Sequence, residues 1–304
     1  MRKLTAIILI LFQAAFLPCR MEAQEAPVRL DNGPRSASES HKVLLYPYPA
    51  ADSLRSDVAV IICPGGSYFW LDMKNEGFAV ASWLQSQGIN AFVLKYRTAG
   101  IFDFLHGVRV AFRGRRHPDM ITDAQRAIRW VRGNAGRYGI DSAKVGVMGF
   151  SAGGHLAMSA ACFHDTDFAS GSPAADGSLR PSFVVPVYPV VTMSGDCVHK
   201  RSRRGLLGED HTSDCIMRDS LSLEKHIPAD CPPVFIVNCA DDPVVDSRNS
   251  VLLDSALVAA GVQHTYVRYE RGGHGFGVSD AAGSPESRQW KHEFIKWLKK
   301  IGIL

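Results

Sequence analysis

No stretch of this 304-residue chain is apolar for long enough to cross a bilayer comfortably. The N-terminal run, residues 6–17, is broken by Gln13 and preceded by Arg2 and Lys3. A charged start followed by a short apolar run is the pattern of a cleaved export signal. A signal peptide is therefore expected over residues 1–23, with no membrane attachment after its removal and a secreted or periplasmic mature protein. Charge of one sign is also scarce. Lys and Arg number 34 against 30 Asp and Glu, a formal net charge of +4, which demands no nucleic-acid partner. The absence of internal repeats and low-complexity tracts excludes solenoids and arrays. Seven cysteines are present, and none has the spacing of zinc ligands. Export permits disulfides; Cys197–Cys215 and Cys215–Cys231 are both conceivable, and spacing does not choose between them. No long apolar segment stands where a lipase would carry its lid.

What the chain does have is apolar content, 46%, enough for the core of one large domain. Residues 24–40 are polar and read as a linker, leaving 41–304 as the domain. Residues 41–48 read as an edge strand, because Pro47 and Pro49 keep it out of a sheet interior. Runs at 58–63, 90–97, 145–148, 181–189, 233–239 and 264–269 read as further strands. Between them, helical spacing appears at 77–87, with Asn75 as its cap and Glu76 at its positive end, at 120–138, at 152–161 and at 247–260. A last helix is expected at 285–301. In the second helix, Asp123 suits the first turn, a structural role. Strands alternating with helices predict an α/β fold with a mostly parallel sheet covered on both faces. Residues 191–232 form a long irregular insertion, expected to be a lid or substrate rim. Two basic runs, 113–117 and 200–204, read first as solvated surface, and the alternative for 113–117 is a rim that meets an anionic or sugar ligand.

The chemistry concentrates at Gly149-x-Ser151-x-Gly153. An apolar strand precedes it and a small-residue helix follows, the pattern of a nucleophile presented on a tight turn. A serine hydroxyl is a poor nucleophile alone. It needs a base within hydrogen-bond reach, and that base needs an orienting carboxylate. Asp241 and Asp242 compete for the acid and His274 is the base, set among Gly272, Gly273 and Gly275. Each follows a strand, at the sheet edge where α/β sites collect. An oxyanion hole is expected from the backbone N–H of Ala152 together with the Gly65-Gly66-Ser67 loop, from Gly66 first and Ser67 next. Tyr68 and Trp70 follow directly and either wall a substrate site or pack in the core. His155, one turn into the elbow helix, reads as a packing or hydrogen-bonding residue.

Taken together, Cys63-Pro-Gly-Gly-Ser-Tyr, Asp123-Ala-Gln-Arg-Ala-Ile, Gly149-Phe-Ser-Ala-Gly-Gly-His-Leu-Ala, Tyr188-Pro-Val, Ala240-Asp-Asp-Pro-Val-Val and Gly272-Gly-His-Gly-Phe-Gly resemble a known group. It is the α/β-hydrolase carbohydrate esterases of the acetylxylan esterase and BD-FAE-like kind. The resemblance favours Asp242 as the acid, since Asp242-Pro-Val-Val matches the group's acid turn. It implies hydrolysis of short acyl esters, commonly acetyl groups on an oligo- or polysaccharide, without a metal or cofactor. One departure stands out: the oxyanion loop of the group usually carries a third glycine where this chain has Ser67. Two other readings share the fold: a prolyl-oligopeptidase-like serine peptidase, for whose additional N-terminal domain the mature chain has no room, and a non-catalytic carbohydrate-binding homologue.

Overall fold

The computed structural model describes residues 25–31, 42–100, 104–105, 116–175 and 179–304. The expected signal segment, residues 32–40 of the expected linker and residues 113–115 of the first basic run lie outside them.

The strands are β1 (Val28–Arg29), β2 (Leu44–Tyr48), β3 (Ala59–Cys63), β4 (Asn90–Lys95), β5 (Val145–Phe150), β6 (Thr166–Asp167), β7 (Ser172–Pro173), β8 (Val184–Val187), β9 (Val234–Cys239) and β10 (His264–Tyr269). Eight of them form one sheet in the order β1-β2-β4-β3-β5-β8-β9-β10. From β4 to β10 every pairing is parallel, and β1 and β2 are antiparallel additions at one side. The pair β6–β7 stands apart as a small hairpin.

The helices are α1 (Ala79–Ser86), α2 (Asp119–Gly133), α3 (Ala135–Tyr138), α4 (Ala152–Cys162), α5 (Lys200–Leu207), α6 (Cys215–Ser220), α7 (Arg248–Ala259) and α8 (Trp290–Lys300). They divide between the two faces of the sheet. Successive strand residues point to opposite faces, so Ala59, Ile61 and Cys63 of β3 pack with α2, α4 and α7. Val60 and Ile62 pack on the other side with α1 and α8. All five residues of β3 are buried, which is why its sequence is continuously apolar rather than alternating.

Three expectations need correction. The segment read as linker contributes β1, which pairs with Leu44 and Leu45 of β2; two residues are too few to show a period. The pairing stops before Pro47, so the proline still borders an unpaired edge among the described residues. The first helix does not begin at residue 77 with Asn75 as cap. A wide π-type turn, Met73–Phe78, precedes α1, and the cap is Asp72, whose carboxylate accepts from Asn75 N. The six described cysteines are free thiols, so neither conceivable bridge forms.

Candidate active site

Three loops at the carboxyl edge of the sheet converge, and backbone geometry explains how. β5 ends at Phe150 and α4 begins at Ala152, leaving Ser151 alone in the turn with φ 55° and ψ −118°. A non-glycine residue held there is strained by about 1–3 kcal/mol. The two glycines of the motif make the turn possible. A Cβ at Gly149 would collide with the Gly153 carbonyl, and one at Gly153 with the Cys63 carbonyl. The strained turn is fastened by Ser151 N donating to Val187 O at 3.0 Å and by Val190 N donating to Ser151 O at 3.1 Å.

Asp242 follows β9, and His274 lies on the loop after β10. The carboxylate of Asp242 accepts from Val244 N (2.8 Å) and Val245 N (3.0 Å) through Oδ1, which aims Oδ2 at His274 Nδ1, 2.6 Å away. An acceptor on Nδ1 fixes the tautomer: the proton sits there, and Nε2 carries the free lone pair. That Nε2 lies 3.0 Å from Ser151 Oγ. The Asp242 side chain is 1% exposed and that of His274 is 12%. Asp241, the competing acid, is occupied elsewhere and accepts from Gly273 N (2.8 Å) and Gly272 N (3.3 Å). It shapes the histidine loop without touching the imidazole.

The oxyanion loop is wound through three consecutive positive φ values: Gly66 at 137°, Ser67 at 56° and Tyr68 at 64°. A Cβ at Gly66 would collide with the Trp70 carbonyl, so only glycine fits there. Phe69 N and Trp70 N close the turn on Gly66 O at 3.0 and 3.1 Å. The loop also presses close to Ser151, since a Cβ at Gly65 would stand 3.0 Å from its Cβ. Among the described residues, the backbone N–H groups of Gly66 and Ala152 have no protein acceptor.

Of the two readings of Tyr68, a substrate wall or core packing, the observed position is core packing. Its side chain is fully buried, and its hydroxyl donates to His155 Nδ1 at 2.8 Å. His155 Nε2 in turn donates to Leu221 O at 2.9 Å. Burial holds the His155 pKa down to about 4, so the imidazole is neutral and the chain of bonds has one sense. The pair anchors the oxyanion loop to α4. Trp70, by contrast, is half-buried and packs edge-on to Phe104, with ring centroids 5.3 Å apart.

Glu76 was expected to serve a helix dipole, but its role is different. Its carboxylate is 5% exposed and accepts from Gly65 N (2.8 Å) and Tyr188 Oη (2.8 Å). Tyr188 Oη also accepts from Gly277 N at 3.1 Å, and its ring lies 4.6 Å from the His274 ring. Glu76 thus joins the oxyanion loop, the β8 loop and the histidine loop. Burial pushes its carboxyl above the usual range, and the two bonds oppose that shift. Asp123 keeps a structural role: buried, it takes a two-pronged bond from Arg97 at 2.7 and 2.9 Å.

The second basic run is not simply solvated. α5 packs on the oxyanion loop so tightly that a Cβ at Gly205 would collide with the Ser67 carbonyl. Arg201 Nε donates to Ser67 Oγ at 2.9 Å. Arg204 lies over the Phe69 and Phe104 rings, at 4.8 and 5.2 Å. The described end of the first run is tied to the same insertion, through Arg116 to Asp210 at 2.7 Å. The tertiary partners of Glu76, Tyr188 and Arg201 are far off in sequence, and only the Tyr188-Pro dipeptide was visible as a motif.

The described sequence and site have known relatives. A profile of the BD-FAE family matches residues 48–257. An acetylxylan esterase from Xylanibacter ruminicola is 33% identical over 247 residues, covering 80% of this chain and 45% of that protein. Endo-1,4-beta-xylanase B from Butyrivibrio fibrisolvens is 35% identical over 236 residues, covering 78% and 35%. The chain therefore spans less than half the length of these curated relatives. Among solved structures, an acetyl ester-xyloside bifunctional hydrolase from Caldicellulosiruptor lactoaceticus superposes with a TM-score of 0.76 at 29% identity, covering 94% of this chain and 99% of that one. Apo esterase 2 of Thermogutta terrifontis gives 0.70 at 26% identity, covering 95% and 98%.

Proposed function

The chain belongs to the BD-FAE family and has the α/β-hydrolase fold, and from that premise we propose that it is a serine esterase removing short acyl groups, acetyl foremost, from an oligo- or polysaccharide. The observation that carries the reading is the single imidazole placed between Asp242, at 2.6 Å, and Ser151 Oγ, at 3.0 Å. Names among the relatives, acetylxylan esterase and acetyl ester-xyloside hydrolase, support the ester and the sugar.

In this reading Ser151 Oγ attacks the ester carbonyl while His274 Nε2 takes its proton. Asp242 holds the Nδ1 proton in place and stabilises the imidazolium that forms. The carbonyl oxygen, now negative, is received by the N–H groups of Gly66 and Ala152, with Ser67 N–H next to them. Each such donor is worth about 3–4 kcal/mol of transition-state stabilisation. His274 then gives its proton to the departing sugar alcohol, leaving an acyl-enzyme. Water, deprotonated by the same imidazole, clears the acyl group as a carboxylic acid. Residues 191–232 form the rim of the site in this proposal, within one catalytic domain over residues 41–304. Residues 1–23 direct export, and polysaccharide is met outside the cytoplasm. No helix among the described residues is long and apolar enough to cross a membrane.

The test is acetate release from acetylated xylan and from p-nitrophenyl acetate. Ser151→Ala should lower kcat by about 10⁴-fold or more and abolish labelling by a fluorophosphonate. Full activity in that variant, or a wild-type protein that takes no label, sinks the proposal; the latter favours a non-catalytic binding protein.

A further inference from the structure

α5 brings a cation to the oxyanion loop that no carboxylate of the described chain neutralises. Lys200, Arg201, Arg203 and Arg204 all lie on this helix. Arg203 donates to Met193 O, and Arg204 donates to Phe104 O and pairs with Glu209 at 3.3 Å. Arg201 uses only Nε, on Ser67 Oγ. Its guanidinium carbon sits 5.5 Å from the centroid of Trp70, and the residue is exposed. Ser67 itself is 3% exposed, so a buried hydroxyl and an aromatic face hold the guanidinium in place. Both terminal nitrogens remain unspent among the described residues. A planar fork fixed at one edge and open at the other is arranged for two-pronged bonding to a carboxylate.

The position matters as much as the charge. Ser67 adjoins Gly66, and the loop touches Ser151 two residues earlier. The two aspartates after β9 are engaged elsewhere. Asp242 is spent on His274, and Asp241 on Gly272 and Gly273.

We propose that Arg201 reads a carboxylate on the substrate, so that the preferred esters are acyl groups on an acidic sugar or on its immediate neighbour, a uronate-bearing chain. This rests on the esterase reading of the same site. The acyl carbonyl enters between Gly66 and Ala152, and the uronate carboxylate meets the open edge of Arg201. A neutral sugar ester leaves that edge to water and gains nothing from it.

The experiment compares an acetylated glucuronoxylan oligosaccharide with its carboxyl-reduced, neutral counterpart, which carries the same acetyl ester. The acidic substrate should show the higher kcat/KM by roughly tenfold to a hundredfold, the range for a bond to a charged group. Arg201→Gln should bring the ratio of the two close to one, chiefly by raising KM for the acidic substrate. Arg201→Lys, which keeps the charge without the fork, should retain part of the ratio. Raising ionic strength from about 20 mM to about 500 mM should shrink the wild-type ratio. A wild-type ratio near one overturns the proposal, as does an Arg201→Gln loss equal on both substrates, which marks a purely structural role. Hydrolysis of neither ester by folded wild-type protein defeats the esterase reading itself. Equal hydrolysis of both defeats only this inference.

Discussion

Two neighbouring aspartates follow β9, and one position along the chain separates the partner of His274 from a brace of its loop. Asp242 Oδ2 meets the imidazole, while Asp241 meets two glycine N–H groups of the same histidine loop. Asp242→Asn should lower kcat by about 10³–10⁴-fold, because the carboxamide no longer enforces the Nδ1–H tautomer. Asp241→Asn should cost less than about tenfold, since a carboxamide oxygen still accepts from Gly273 N. Steady-state rates on p-nitrophenyl acetate check both. The choice between these residues rested on likeness to a known turn, because neighbouring identical side chains carry no periodicity to separate them. His155 titrates far from its ordinary value of 6.5, near 4, because burial opposes its charge. The unfolded chain binds that proton first, so this contribution is complete above pH 6.5 and is lost as pH falls toward 4. The full shift corresponds to about 3 kcal/mol. Urea midpoints should therefore drop from pH 6.5 to pH 4.5, and His155→Gln should lessen that drop without removing it, because burial also holds His117 and His199 down to about 4.

At the scale of elements, the parts easiest to read were those whose environment repeats. β3 and β9 are buried on both faces and are written as unbroken apolar runs; α2 shows its stripe. The proposed serine and acid follow strands of this kind, β5 and β9, whereas the proposed base follows β10, which is only partly buried. Glu76 escaped because its partners lie 11 residues away in a loop and 112 residues away in Tyr188; contacts of that span leave no local trace. The same holds for α5. Its basic residues look like a solvated face in sequence, yet Gly205 brings the helix backbone against Ser67. Gly205→Ala would push a methyl into the Ser67 carbonyl and to within 2.9 Å of Tyr68 Cβ. The oxyanion donors would shift, and kcat should fall by about 10²-fold. Circular dichroism of the variant should remain native-like, since α5 lies outside the sheet.

For the whole molecule, the edge that carries the candidate site depends on packing across the sheet. Trp290 of α8 is fully buried and its ring lies 6.2 Å from that of Phe150, the residue before Ser151. Its indole N–H donates to Gly277 O at 2.9 Å, and Gly277 N in turn donates to Tyr188 Oη. The last helix therefore braces the histidine loop. Trp290→Phe keeps most of the apolar surface but orphans the Gly277 carbonyl, at a cost of about 1–3 kcal/mol. Thermal unfolding should shift down by several degrees, and kcat should fall with it as His274 loses its fixed seat.

The division of labour along the chain has a practical meaning for engineering. Attack and proton transfer are assigned to loops rooted in the sheet, whereas Arg201 arrives on a segment inserted between β8 and β9. On the proposed esterase reading, transplanting residues 191–232 from a relative of different preference should change which substrate is favoured while leaving Ser151, Asp242 and His274 in place. Any donor segment must obey one rule: where it meets the Ser67 carbonyl, it has to present bare backbone.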